Sequence, residues 1–173
     1  MTDWLAEALP IFSRDDGSLP EVEFDVSNAQ DIRAAYLFLQ SCACRIESRK
    51  KAACYWSKSK GVLVPIGLGD DPVPALMSGD TDPLHIVFGG IRSPSGQAVP
   101  ALGIFVFCDA LAIDYRMGSD WDSSAILGLF EILDRIAEIT GASKFAHRDN
   151  DNENDEGDRL LRLWTRWRTL CAE

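Results

Sequence analysis

Two apolar runs, residues 102–108 and 111–117, are separated only by Asp109 and Ala110. A parallel connection needs a crossover of about a dozen residues or more, so a link this short makes the two runs antiparallel neighbours, even without the glycine usual in such turns. Within the first run, Gly103-Ile104-Phe105-Val106-Phe107-Cys108 is apolar on both faces, as expected of a central strand covered by helices. A third run, 85–91, precedes Ser93-Pro94-Ser95-Gly96, which has the chemistry of a hairpin turn. The chain is therefore committed to a mainly antiparallel sheet.

Other segments extend it. Glu21-Val22-Glu23-Phe24-Asp25-Val26 alternates, placing Val22, Phe24 and Val26 on one strand face. Residues 52–57 and 61–66 read as short strands around a Lys-Ser-Lys-Gly turn, and 144–147 as an edge strand. Ser27 with Gln30 has capping-box spacing for a helix ending near Cys44, with Ile32, Ala35, Tyr36 and Leu39 on one face. Asp122 is the expected N-cap of the longest helix, 123–140, closed by Gly141. The last helix sets Leu160, Leu163, Trp164, Trp167 and Cys171 at helical spacing. Thr2 suits the cap of a short helix over 3–9, stopped by Pro10, and 67–82, rich in Gly, Pro and Asp, reads as an exposed loop. The expectation is one α+β domain over residues 1–173, a mainly antiparallel sheet of five to seven strands with three flanking helices, and an acidic linker at 149–158 before the last of them.

Charge and cysteine content limit the function. The net charge is −10, distributed in blocks: eight acids against Arg14 in residues 1–31, then seven basic residues against Glu47 in 32–60. An acidic total repels phosphate, which argues against nucleic acid and anionic membrane and favours encounter with a basic partner. Tyr55 and Trp56 within the basic stretch could stack on single-stranded nucleic acid, but lysines there serve equally to block strand-edge pairing. Five irregularly spaced cysteines, with no signal-peptide pattern and no apolar run near the ~20 residues of a membrane span, point to a cytoplasmic protein.

Motifs of catalysis fail on inspection. His147-Arg148-Asp149 with Asn154 imitates a kinase catalytic loop, yet only 19 residues follow Asn154 and no Asp-Phe-Gly is among them. A calcium loop begun at Asn152 would place Leu163 at the twelfth position, where a bidentate Glu is required. Cys42 and Cys44, with Cys54 and His85, are the only zinc set to consider, and on a helix the first two point about 200° apart. Ser95 lacks the nucleophile elbow, and Gly67-Leu68-Gly69 is followed by two aspartates that would repel a pyrophosphate. No catalytic residue, metal site or cofactor is assigned.

Residues 109–122 are the most informative. Leu111, Ile113 and Tyr115 share one strand face and Ala112, Asp114 and Arg116 the other. The turn that follows presents Trp121 between Asp120 and Asp122. Two roles fit Trp121: the anchor of a protein interface with an acidic rim, or a staple over the helix N-terminus. Asp114, Arg116, Asp120, Trp121 and Asp122 are thus the candidate binding residues. The preferred reading is a non-enzymatic protein offering an acidic surface to a basic protein partner, with a homodimer compatible. The alternative is a hydrolase-like enzyme with a dispersed site drawn from His85, Asp109, Asp114 and Asp120. A small acidic α+β chain whose hydrophobic hairpin leads through Asp114-Tyr115-Arg116-Met117-Gly118 to Trp121 and an amphipathic helix resembles, over residues 21–141, bacterial toxin-immunity proteins. That resemblance implies a toxin as partner, covered by acidic groups.

Overall fold

Alternation is what makes the first strand. In β1 (Glu21–Asp25) Val22 and Phe24 are fully buried, while Glu21 and Glu23 are half-buried and Asp25 is exposed. A computed structural model describes residues 3–15, 17–48, 52–142, 145–148 and 156–171, and in it β1 pairs antiparallel on both sides. Its neighbours are β9 (Ala110–Tyr115) and β10 (Phe145–Arg148). The sheet continues through β8 (Leu102–Val106) and β5 (Leu84–Gly89) to the short β2 (Arg45–Ile46), in the order β10-β1-β9-β8-β5-β2. Two hairpins stand apart from these six strands: β3 (Cys54–Ser57) with β4 (Val62–Pro65), and β6 (Ile91–Arg92) with β7 (Ala98–Val99). The architecture is α+β in a single domain.

The helices are α1 (Asp3–Phe12), α2 (Ala29–Cys42), α3 (Val73–Met77), α4 (Ser123–Thr140) and α5 (Glu156–Cys171). Ring contacts join Phe12 of α1 to Tyr115, Tyr36 of α2 to Phe88, and Trp164 of α5 to Phe24 and Phe145. All four sheet partners lie on one face, with Val22, Leu102, Ile104, Val106, Leu111 and Ile113. Helix α4 packs against α1, α2 and α5 in the same layer, with Trp4 stacked on Phe130 at 5.5 Å. The core is therefore one slab between the sheet and one layer of helices.

Several expectations are corrected. Pro10 does not end α1, which runs on to Phe12. Carrying Ile11 and Phe12 into the core offsets the roughly 3 kcal/mol that an interior proline costs a helix, because burying each such side chain returns about 1.5–3 kcal/mol. The cap of α2 is Asn28, one residue beyond Ser27; its side chain accepts from the Gln30 backbone N at 2.9 Å. Residues 67–82 are not merely an exposed loop, since they contain α3 with Val73 and Leu76 buried. Gln40 and the buried Tyr36 both donate to the Asp70 carbonyl, tying this segment to α2. Burial, and next the charge of Asp71, push the Tyr36 phenol above its ordinary range. In α5, Leu160, Leu163, Trp164 and Trp167 are buried as expected, but Cys171 is exposed. The acidic segment 149–158 is in part helix, because 156–158 open α5; Thr2 and residues 149–155 lie outside the described residues.

β8 departs most instructively. It is central, with Leu102, Ile104 and Val106 buried beneath the helices, yet helices clothe only that face. Its other face carries Gly103 and Phe105, apolar for reasons of their own that the site explains. No helix of the described residues is long and apolar enough to cross a membrane.

Candidate functional site

The face of the sheet turned away from the helices is set by strand parity. Running across it in register are Glu23 of β1, Ala112 of β9, Phe105 of β8 and His85 of β5. The adjacent row is Glu21, Asp114, Gly103 and Val87. Asp25 continues the acidic edge at the end of β1, and Glu47, paired with Arg45 at 2.7 Å, lies at the β2 end. Parity that fills one face with aliphatic and aromatic residues thus gives the other Glu21, Glu23, Asp25, Asp114 and Glu47, with His85, Phe105 and small residues between them, and also Arg45, while Arg148 holds the register position opposite Glu21.

Two of the dispersed-site candidates meet here. His85 Nε2 lies 3.0 Å from Asp114 Oδ1, and the pair lies across Gly103. A Cβ on Gly103 would stand 1.8 Å from Asp114 Oδ1 and 2.6 Å from His85 Nε2, so glycine here makes the room the pair occupies. The His85 ring stacks on Phe105 at 3.9 Å, and Phe105 stacks on Phe107 at 6.3 Å. Asp109 and Asp120 do not join them, since they stand beyond opposite ends of β9. A histidine oriented by a carboxylate can move a proton, but the wider Asp/His cluster that a dispersed hydrolytic site requires is not assembled.

The turn after β9 divides the five candidate binding residues by task. Trp121 is 4% exposed; its ring packs on Phe12 at 4.9 Å and Tyr115 at 5.5 Å, and its Nε1 donates to the Arg116 carbonyl at 2.8 Å. The indole fastens the turn to α1 and β9 and is buried away from the surface, where an interface anchor would have to stand. Asp122 is the N-cap of α4, accepting from Ala125 N at 2.8 Å. Asp120 and Arg116 are exposed and line a shallow groove of about 270 Å³ with Asp15, whose carboxylate lies 3.9 Å from Arg116. Asp114 alone of the five belongs to the helix-free sheet face, where it is buried against His85 at 7% exposure.

The deceptive motifs resolve into structural work. His147, on the core face, lies 3.0 Å from the Tyr115 hydroxyl through Nε2, and Asp149, Asn152 and Asn154 fall outside the described residues. Cys42 and Cys44 line one groove near Gly90, and burial raises the Cys42 thiol above its ordinary value. Cys54 stands apart from them on the β3–β4 hairpin. Sequence reasoning missed Gly103, although a glycine inside an otherwise apolar central strand is a signal of close approach, and it missed that Glu21, Glu23 and Asp25 share a face with Asp114.

A two-layer α+β protein with one helix-clad and one helix-free, carboxylate-bearing sheet face is the class defined by this geometry. No family model matches the chain, and no curated protein matches it. Among solved structures, the chain is similar to a chain of the 1.75 Å crystal structure of the toxic C-terminal tip of CdiA from Pseudomonas aeruginosa in complex with immune protein. The TM-score is 0.53 at 15% identity, over 81% of this chain and 91% of that one. Such a likeness establishes a shared fold, and the fold it establishes is one used within a toxin–immune protein complex, in line with the resemblance read from the sequence.

Proposed function

We propose that this chain is a non-enzymatic binding protein of the immunity type, which neutralises a toxin by offering carboxylates to the toxin's basic surface. The observation that supports this reading is the division of the sheet: Glu21, Glu23 and Asp25 are collected on the one face that carries no helix, with Asp114 buried among them against His85. Carboxylates held on a rigid sheet lose little freedom on binding, and an acidic field speeds encounter with a basic protein. Several basic side chains are meanwhile engaged elsewhere: Arg33 with Asp71, Lys58 with Asp82, Arg135 with Glu138, Arg166 with Glu7 and Arg168 with Asp134. Asp120 and Arg116 extend the surface beyond β9, while Trp121 and Asp122 hold that turn in shape. On this reading the protein works in the cytoplasm, where its five thiols stay reduced.

The test is expression in a bacterial host, alone and together with a toxin domain encoded beside its gene. Growth should be normal when the chain is made alone and rescued when the two are made together. The purified pair should associate with an affinity that falls steeply between low and high salt. Growth arrest by this chain alone would overturn the reading and assign it the toxic role instead.

A further inference from the structure

Large apolar side chains that remain exposed are few, and they cluster. Among the described residues they are Leu19, Trp56, Val62, Leu63, Leu68 and Leu170, and three of the six belong to the β3–β4 hairpin. Trp56 and Leu63 are cross-strand partners, 50% and 62% exposed, with Cys54 and Pro65 paired next to them on the same face and also exposed. Val62, 48% exposed and paired with Ser57, lies on the hairpin's other face. A contiguous apolar patch on a soluble protein marks a site of interaction, and tryptophan is the side chain most enriched at the energetic centre of interfaces.

The hairpin is held firmly, as an anchor must be. Asp80 closes its turn, accepting from the Ser57 hydroxyl at 2.7 Å and the Ser59 backbone N at 2.6 Å, while its carbonyl accepts from Lys58 N at 2.7 Å. Lys58 reaches Asp82 at 2.7 Å, so the turn carries little net charge of its own. A groove of about 410 Å³ runs from Cys54, Tyr55 and Trp56 to Leu84 and His85. His85 stacks on Phe105, in the middle of the carboxylate-bearing sheet face. The apolar hairpin and the acidic face are therefore two zones of one surface.

We propose that Trp56 and Leu63 are the apolar anchor of the partner-binding surface, and that the segment they receive carries apolar side chains among arginines or lysines. This rests on the immunity-type reading above and gives Trp56 the role that the sequence offered to Trp121. Charge complementarity selects the partner: basic side chains answer the acidic face that continues beyond His85 to Glu21, Glu23 and Asp25, and a purely basic segment would leave the indole in water.

The experiment uses the full chain and two synthetic probes, a ten-residue peptide of alternating leucine and arginine and deca-arginine, followed by resonance shifts and calorimetry. The mixed peptide should shift the Trp56 indole and the amides of Leu63, His85 and Phe105, and bind about tenfold more tightly than deca-arginine. The double substitution Trp56→Ala/Leu63→Ala should erase that advantage while moving the melting temperature by no more than about 2 °C, since both side chains are exposed. Equal binding of the two probes, or an undiminished double variant, overturns the anchor; salt-sensitive deca-arginine binding at the sheet face would then leave the acidic-surface reading standing. Failure of both probes to bind overturns both. A concentration-dependent dimer abolished by the same double substitution would assign the patch to a second copy and overturn the proposal as well.

Discussion

His85 and Asp114 meet over Gly103, Nε2 to Oδ1 at 3.0 Å, and the glycine between them is a condition of the contact. Gly103→Ala would drive a methyl group into the space where the carboxylate and imidazole converge. The substitution should destabilise the protein by about 1–3 kcal/mol, the ordinary range for overpacking, and should break the His85–Asp114 contact. Chemical denaturation together with the His85 ring resonances checks both parts. An alanine variant of wild-type stability with an unmoved imidazole would show that the site tolerates what the geometry forbids.

Trp121 and Trp56 should behave as opposites. Trp121→Ala removes a ring wedged between Phe12 and Tyr115 and should cost about 3–5 kcal/mol of stability. Replacing Asp120 or Arg116, both exposed beside it, should alter stability by no more than about 0.5 kcal/mol. Thermal melts of the three single variants separate these cases, and a harmless Trp121→Ala would contradict the packing described for the turn.

How far the sequence reaches can be judged from such pairs. Alternation in Glu21-Val22-Glu23-Phe24 sufficed to place β1, and Asp122 and Gly141 were sufficient to bound α4, because these features are set by neighbours in the chain. What escaped was set by neighbours in space. Pro10 belongs to a helix because Ile11 and Phe12 find a core across it. The single-sided cladding of β8 depends on where four helices settle, and neither Gly103 nor Phe105 discloses that locally. Trp121 and Trp56 look alike in the sequence, each beside charged or polar residues. Only the meeting of α1 with the end of β9 decides which one is buried.

Asp80 makes the hairpin sensitive to acid. The Ser57 hydroxyl foremost, then Ser59, hold its carboxyl below the ordinary value of 3.8. A carboxyl lowered on folding contributes stability above its unfolded value and loses it as the pH falls through the folded one. The Ser59 amide resonance should therefore titrate with a midpoint under 3.8, and Asp80→Asn should remove that transition. A midpoint at or above the ordinary value would mean that the turn is not clamped by this ionised group.

Removing the Asp122 side chain should loosen α4 alone. Its oxygen satisfies the Ala125 amide, and an N-cap replaced by alanine typically costs about 1 kcal/mol. Asp122→Ala should show that loss in a melt, whereas Asp122→Asn or Asp122→Ser, which retain an acceptor, should recover most of it. Equal losses in all three would mean the carboxylate acts through charge instead of through the cap.

The sheet face offers the most direct trial of the acidic-surface reading, because its carboxylates can be neutralised without disturbing the core. Glu21, Glu23 and Asp25 alternate with the buried Val22 and Phe24, so Glu21→Gln/Glu23→Gln/Asp25→Asn changes three charges on one strand face and leaves the apolar side chains in place. Binding of a basic partner that depends on this face should weaken chiefly through a slower association rate, by about tenfold or more at low salt, and should lose most of its salt dependence. The same three neutralisations placed at Asp31, Glu131 and Glu138, on α2 and α4, provide the control, since those helices cover the other face of the sheet. If both triple variants slow association alike, the chain attracts its partner through net charge, and the helix-free sheet face holds no special place in recognition.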